Sequence, residues 1–403
     1  MPLLANTEKL RREIERSLPE RPFTIEFWDG SRVASTGQNG PTFTVRSPKA
    51  LAHVLRAPGQ LGLGRAYVTG EIEPDDLDAA MRMVAEWEPP PIDAKAQARL
   101  MLGALRGAGL TLPPRAPSVE LVPKGKLHTK ARDARAVRHH YDVSNEFFAL
   151  FLDRSMTYSC AVFRNGAETL EDAQREKLDM VCRKLELKEG DRVLDVGCGW
   201  GSFGIHAARE YGVHVVGITL SEPQAGLARI RAADAGVGEQ VDFRVMDYRD
   251  ISGERFDAIA SIGMVEHVGE ERIDLYAHRL ASLLRPGGRL LNHGIAWLRH
   301  ERERPGAFTQ RFIFPDGKPL QLSRVQLALE RAGFETVHVE GLREDYAETL
   351  RHWIEGLDAN LPEARRLAGE ERTRVWRLYL RGARSIFIDR VSSIYQVRCV
   401  LPA

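Results

Sequence analysis

The chain has 403 residues, 43% of them hydrophobic and 28% charged, with a formal net charge of +1. That length exceeds a usual single core and predicts two domains. The balanced charge argues against a nucleic-acid partner, so any anionic surface must be met by a local patch. The four cysteines (Cys160, Cys182, Cys198 and Cys399) form no C-x-x-C pair, which speaks against a disulfide framework or zinc site and for a reducing cytosol.

No apolar run approaches the roughly 20 residues that span a bilayer. The opening MPLLANTEKLRREIERSL is an acid–base helical pattern, without the apolar centre of a signal peptide. Contact with a membrane is therefore expected from its surface. FTIEFWDGSRVA reads as a hairpin, with Phe23, Ile25 and Phe27 alternating and Asp29-Gly30 as its turn. PTFTVRS is another strand, and DDLDAAMRMVAEW a helix starting near Asp75 or Asp76. EPPP (Glu88 to Pro91) and LPPRAP (Leu112 to Pro117) break the chain, dividing it into domains 1–118 and 119–403. Between the breaks, IDAKAQARLMLGALRG is amphipathic, with Leu100, Met101 and Leu105 near one side. A packed connector helix is the plainer reading, and a membrane-surface helix the other. Lys124 to Arg135 then carries five basic residues against Asp133 alone. Such a run is ordinarily a solvated linker, and near a bilayer each base adds about 1 kcal/mol toward anionic lipid.

From about residue 170 helices and strands alternate. The strands RVLDVG, HVVGITL, VDFRVMD, FDAIASIG, RLLNHGI, TVHVEGL and IYQVRCVL predict a seven-stranded, doubly wound α/β sheet of Rossmann type, with RPGG a turn before the fifth strand. The smaller N-terminal domain reads as α+β.

In VLDVGCGWGSF the first strand ends at Asp195, and Gly197, Gly199 and Gly201 open the next helix, with Cys198 inside the loop. Such glycines allow positive φ and close backbone approach to a ligand. Ser202 stands where a dinucleotide fingerprint needs its last glycine, and no acid ends the next strand, GITLS. Both arguments oppose a nicotinamide cofactor. The D-x-G-x-G-x-G pattern instead resembles class I methyltransferases that bind S-adenosylmethionine. In these enzymes the adenine lies after the third strand, where Asp247 offers an acceptor and Tyr248 a stacking face.

HHYDVSNEFFALFLD, SMTYSCAVF, LDVGCGWG, VVGITLSEPQ, SIGMVEHVG and FIFPDG follow in order, and LGRAYVTGEIEPDDLD precedes them. Together they resemble the cyclopropane-fatty-acyl-phospholipid synthases and mycolic acid cyclopropane synthases over nearly the whole chain. The resemblance implies methylene transfer from S-adenosylmethionine to the cis double bond of an unsaturated acyl chain in membrane phospholipid. It also implies a lipid-associated N-terminal domain, a homodimer, and a cytoplasmic location against the inner face of the membrane. By the family's pattern, Tyr158, Ser159, Gly197, Gly199, Thr219, Leu220 and Gln224 contact the cofactor. The base is a bound bicarbonate held by Cys160, Glu266, His293, Ile295 and Tyr346. Cys160 and Ile295 would give backbone N–H groups, and the other three their side chains.

An alkene is a weak nucleophile, so transfer needs close alignment, and aromatic faces can stabilise the cation that forms. Tyr141, Phe147, Phe151, Tyr158 and Phe163 are candidates, each singly more natural as core packing. Cys160 is then not a nucleophile. His267 reads as structural, because EH lacks the H-E-x-x-H spacing of zinc sites. Gly294, where many relatives carry a side chain, and Phe312, where tyrosine is common, leave the product less defined than the reaction. A methylene- or methyl-branched chain needs the same cation and base. Small-molecule N- or C-methylation, and lipid or cofactor binding without turnover, are the rival classes.

Overall fold

The structure, a computed structural model, describes residues 7–37, 40–109, 114–122, 125–141, 143–298 and 306–403. Two compact units emerge. The first comprises Met1–Glu120, Gly306–Phe312 and Ala368–Ser385, and the second comprises Leu121–Pro305, Ile313–Leu367 and Ile386–Ala403. No break in the sequence marks the two late segments that join the first unit.

In the first unit, strands β1 (Thr24–Phe27), β2 (Arg32–Val33), β3 (Thr42–Val45) and β4 (Ile72–Pro74) form a sheet of order β2-β1-β3-β4. β1 and β2 are the expected hairpin, with Ile25 opposite Val33. Asp76 caps the helix Leu77–Glu86 by accepting from the Ala79 N–H. Buried cations tie in the late segment. Arg381 pairs in a fork with Asp78 at 2.9 Å, and Arg374 Nε donates to Tyr67 O at 2.6 Å.

Helix Ala94–Ala108, capped by Asp93, is packed as expected, with Ala104 in the core cluster and Leu100 against it, but not through Met101 and Leu105. It buries its small residues instead. A Cβ on Gly103 would lie 3.0 Å from the Leu10 Cα, and Ala104 sits in the core with Leu10 and Ile14. Met101 (49%), Leu102 (46%) and Leu105 (55%) are left exposed. Close backbone approach to the N-terminal helix Glu8–Ser17 selects the glycine side as the inner face.

The second unit is built on β5 (Arg192–Val196), β6 (His214–Thr219), β7 (Val241–Val245), β8 (Phe256–Ile262), β9 (Leu284–Trp297), β10 (Leu320–Gln321), β11 (Glu335–Gly341) and β12 (Ser392–Val400). The order is β11-β12-β9-β8-β5-β6-β7, with the short β10 beside β9. All seven expected strands form. β12 runs antiparallel to both neighbours and the other main-path pairs are parallel. Leu194, Val196 and Ile259 face one apolar layer while Val193, Ala258 and Ala260 face the other. This period-two alternation between two buried faces defines a doubly wound sheet. RPGG, expected as a turn, is instead drawn into β9. The register shift between Phe256↔Leu284 and Ala258↔Arg289 absorbs the extra residues as a bulge. No helix among the described residues is long and apolar enough to cross a membrane.

Candidate active site

β5 delivers Asp195 to the carboxyl end of the sheet, where ligands of open α/β folds bind. The glycine turn follows. Gly199 (φ +54°) has open space on the side a Cβ would occupy. At Gly201 (φ +82°) a Cβ would fall 2.7 Å from the Phe243 ring, so the turn into helix Ser202–Tyr211 admits little else. Tyr158, Ser159, Asp195, Gly197, Cys198, Gly199, Thr219, Leu220, Gln224, Asp247 and Tyr248 line one cavity around this turn. Gly201 shapes the turn but is not part of the wall.

The polar groups of the wall are pre-arranged. Thr219 Oγ1 donates to Gln224 Oε1 at 2.7 Å, and Ser221 caps the helix that presents Gln224. Asp247 is held by Arg249, whose Nη2 and Nε donate at 2.6 and 2.8 Å. Burial alone would raise its carboxyl, but these bonds bring it below the usual range. Arg249 also reaches Asp133 at 2.9 Å.

Lys177, absent from the sequence-derived set, enters the same wall. It is 1% exposed and donates from Nζ to Ser159 Oγ at 3.0 Å. Burial lowers it to about 8, against opposing pulls led by Asp153 and including Asp195. Asp195 has a buried Oδ2 with no hydrogen-bond partner among the described residues, and burial lifts its carboxyl to about 7. A signal for Lys177 existed in the sequence. Ala173, Lys177 and Val181 recur at i, i+4 and i+8 on the buried face of helix Leu170–Lys184, and a lysine on an apolar stripe needs a reason.

Part of the basic run is already paired within the second unit, while Lys126 and Arg135 are exposed. Lys124 lies outside the described residues. Lys130 pairs with Asp250, and Arg132 forms a fork with Asp316 at 2.6 and 2.7 Å. His128 and Asp133 face the cavity.

The second group sits in the turn after β8 and on the carboxyl-end half of β9. Glu266 lies in the turn Val265–His267 after β8. Its Oε1 accepts the Ile295 N–H at 2.7 Å, while its buried Oε2 has no partner among the described residues. That N–H, two residues from His293 and expected to face a bound anion, is thus taken by the Glu266 carboxylate. Burial raises the Glu266 carboxyl to about 7 against the Ile295 bond. His293 is 1% exposed, and its buried Nε2 has no partner among the described residues. Burial, then Lys177 and Lys184, lower it to about 3, so the ring is neutral.

Cys160 is buried, with its thiol raised by burial and donating to the Ala161 and Leu342 carbonyls. The Ala161 N–H bonds Thr349 Oγ1 at 3.0 Å and the Phe163 N–H bonds Asp345 Oδ1 at 2.8 Å. The cysteine loop is thereby fastened to helix Arg343–Ala359, which carries Tyr346 against the Phe387 ring at 4.7 Å. Of the expected aromatic faces, Tyr141 and Tyr158 line the cavity. Phe147 and Phe151 are core residues, and Phe163 stacks on His352. His267, read as structural, belongs to the cavity wall, with burial holding its ring at about 4.

Comparison with known proteins accords with this arrangement. Residues 128–397 match the family model for mycolic acid cyclopropane synthetase. A probable fatty acid methyltransferase of Pseudomonas putida is 39% identical over 388 residues, covering 94% of this chain and 92% of that protein. The cyclopropane-fatty-acyl-phospholipid synthase of Escherichia coli is 33% identical over 369 residues, 91% of this chain and 89% of its own. The crystal structure of mycolic acid cyclopropane synthase CmaA1 complexed with SAH and CTAB matches with a TM-score of 0.63 at 35% identity, over 66% of this chain and 98% of that one. The fold is that of class I methyltransferases, and the chain belongs to the mycolic acid cyclopropane synthetase family.

Proposed function

We propose that the protein uses S-adenosylmethionine to methylate the cis double bond of unsaturated acyl chains in membrane phospholipid and closes the product to a cyclopropane. When bound, the cofactor supplies an electrophilic methyl group. The cavity fits it. The Thr219–Gln224 pair suits a ribose, Tyr248 an adenine face, and Lys177, Ser159 and Asp195 a zwitterionic methionine end. The CmaA1 relative was crystallised with SAH.

The observation that carries the reading is the Glu266–His293 group. A buried carboxyl oxygen of Glu266 and a buried ring nitrogen of the neutral His293 both lack a partner among the described residues, and Glu266 holds the backbone of Ile295, two residues from His293. Such groups are costly to leave unpaired in the interior. An anion that shares a proton would satisfy both, and bicarbonate, held by His293, Glu266, Tyr346 and the Cys160 backbone, would supply a base there. The residues' own part is to keep this place dry and to hold the released proton on Glu266, a carboxyl poised near neutrality. Tyr158 and Tyr141 offer ring faces to a developing cation.

A second reading keeps the transfer but yields a methylene- or methyl-branched chain. The 39% identity to a probable fatty acid methyltransferase, against 33% for the cyclopropane synthase, favours weighing it. Expression in a bacterium lacking such enzymes, followed by mass spectrometry of its phospholipid acyl chains with a ring-sensitive derivatisation, separates the two. Cyclopropane species are expected. A branched product without a ring overturns the first reading, and unmodified lipid overturns both.

A further inference from the structure

The second unit contains a polar chain behind His293 that reaches from the buried site toward the surface. Gln396 on β12 is the direct cross-strand partner of His293 on β9 and is fully buried. Its Nε2 lies 3.2 Å from His293 Nδ1, and its Oε1 accepts from Lys184 Nζ at 2.6 Å. Lys184 Nζ also donates to Glu340 Oε2 at 2.5 Å, and Glu340 pairs in turn with Arg164.

The donor and acceptor inventory fixes every orientation along this chain. An ammonium has only donors, so the side of Gln396 that meets Lys184 must be its carbonyl oxygen. The amide NH2 is then the side that meets His293. An amide NH2 only donates, so Nδ1 must present a lone pair. A neutral imidazole with a lone pair on Nδ1 carries its proton on Nε2. Nε2 is the buried ring nitrogen without a partner among the described residues.

We infer that Gln396, oriented by Lys184, is a positioning residue that holds His293 as its Nε2–H tautomer, so that the ring donates a hydrogen bond into the buried site. This rests on the proposed function, in which that donor meets an anion. The arrangement resembles the support given to ligating histidines, where a partner on one ring nitrogen sets what the other can do.

Histidine-selective 15N labelling and NMR of the full chain tests it, with the His293 signals assigned by their loss in His293→Gln. The wild type is expected to show an unprotonated Nδ1 and a protonated Nε2. Gln396→Glu places an acceptor opposite Nδ1 and should move the proton to Nδ1, lowering turnover at least tenfold with cofactor affinity within about twofold. Lys184→Met frees the Gln396 amide to turn and should give a mixture of tautomers. Lys184→Arg, still a pure donor, should restore the wild-type pattern, which a merely structural lysine would not require. A wild-type Nδ1–H tautomer, or Gln396→Glu and Lys184→Met spectra that match the wild type, overturns the inference. A proton shifted by Gln396→Glu with turnover unchanged upholds the hold on the tautomer and overturns the role of His293 in the proposed reaction.

Discussion

Lys177 and Ser159 meet at 3.0 Å in the wall of the cofactor cavity, in a position that exposes 1% of the lysine. An ammonium buried this far is normally paired. Ser159 supplies one neutral acceptor, and Asp195 stands near enough to act on it through its charge. A ligand with both a carboxylate and an ammonium would complete the set, the first against Lys177 and Ser159 and the second against Asp195. Removing the cation in Lys177→Met is expected to weaken S-adenosylmethionine binding roughly 10- to 100-fold, the scale of a lost charge-assisted hydrogen bond. Titration calorimetry measures it. Affinity within twofold of the wild type would remove Lys177 from the site.

Lys177 and Asp195 together predict how binding depends on pH. Lys177, lowered to about 8, keeps its charge below that value and loses it as pH rises through it. Asp195, raised to about 7, gains its charge as pH rises through that value. Both charges coexist best between the two, so affinity should peak between about pH 7 and 8 and fall on either side. Calorimetry across this window in buffers of different ionisation enthalpy should also show proton exchange on binding. A flat profile with no proton exchange contradicts the assignment.

In the proposed reaction Glu266 would govern the acidic limb of turnover. Its raised carboxyl, about 7, is mostly protonated below neutrality and then cannot take up the proton released by the substrate. Activity should therefore drop as pH falls through about 7, while Glu266→Gln removes the limb together with most turnover. Because Glu266 is not among the residues lining the cofactor cavity, affinity for the cofactor should hold within about twofold. A mutant that keeps the acidic limb assigns it to another group.

Cys160 contributes through its backbone in the proposed site, and its thiol is withheld from chemistry. Burial raises it, and its hydrogen goes to main-chain carbonyls. A nucleophilic cysteine would instead be exposed and lowered by neighbouring cations. Cys160→Ser should retain activity within about fivefold. Loss of nearly all turnover with folding intact, checked by circular dichroism, would return the sulfur to the mechanism.

The strands of the catalytic unit were legible because some carry an apolar run with a turn signal at its end, as RVLDVG does before its glycines, and others alternate apolar with polar residues, as VDFRVMD and TVHVEGL do. The shared cavity of the expected residues followed, since a motif on a strand end places its residues together. Three things were not legible. Lys177 lies one helix earlier than the motif, and only its place on a buried stripe marks it. The Ile295 N–H goes to Glu266 because β9 brings it beside the turn after β8, a meeting that depends on register. The first unit's late segments, Gly306–Phe312 and Ala368–Ser385, are claimed by long-range pairs such as Arg381–Asp78, which no local pattern announces.

Helix Ala94–Ala108 carries the last prediction. Its inner face is chosen by Gly103 and Ala104, which leaves Met101, Leu102 and Leu105 outward beside exposed Arg106 and Lys95. Leucines kept in water gain roughly 1.5–3 kcal/mol each when fully buried, and basic residues beside them favour anionic lipid. This is the composition of an interfacial helix. Leu102→Glu with Leu105→Glu should cost little stability, since both side chains are already exposed, yet reduce sedimentation with phosphatidylglycerol-containing vesicles more than tenfold. Activity on detergent-dispersed lipid should remain. Lys130→Glu is the informative contrast. It places two carboxylates together by replacing the Lys130–Asp250 pair of the catalytic unit, so its effect should fall on thermal stability and turnover rather than on vesicle binding. Unchanged sedimentation in the double leucine variant would leave the exposed face without a membrane role, whatever Lys130→Glu does.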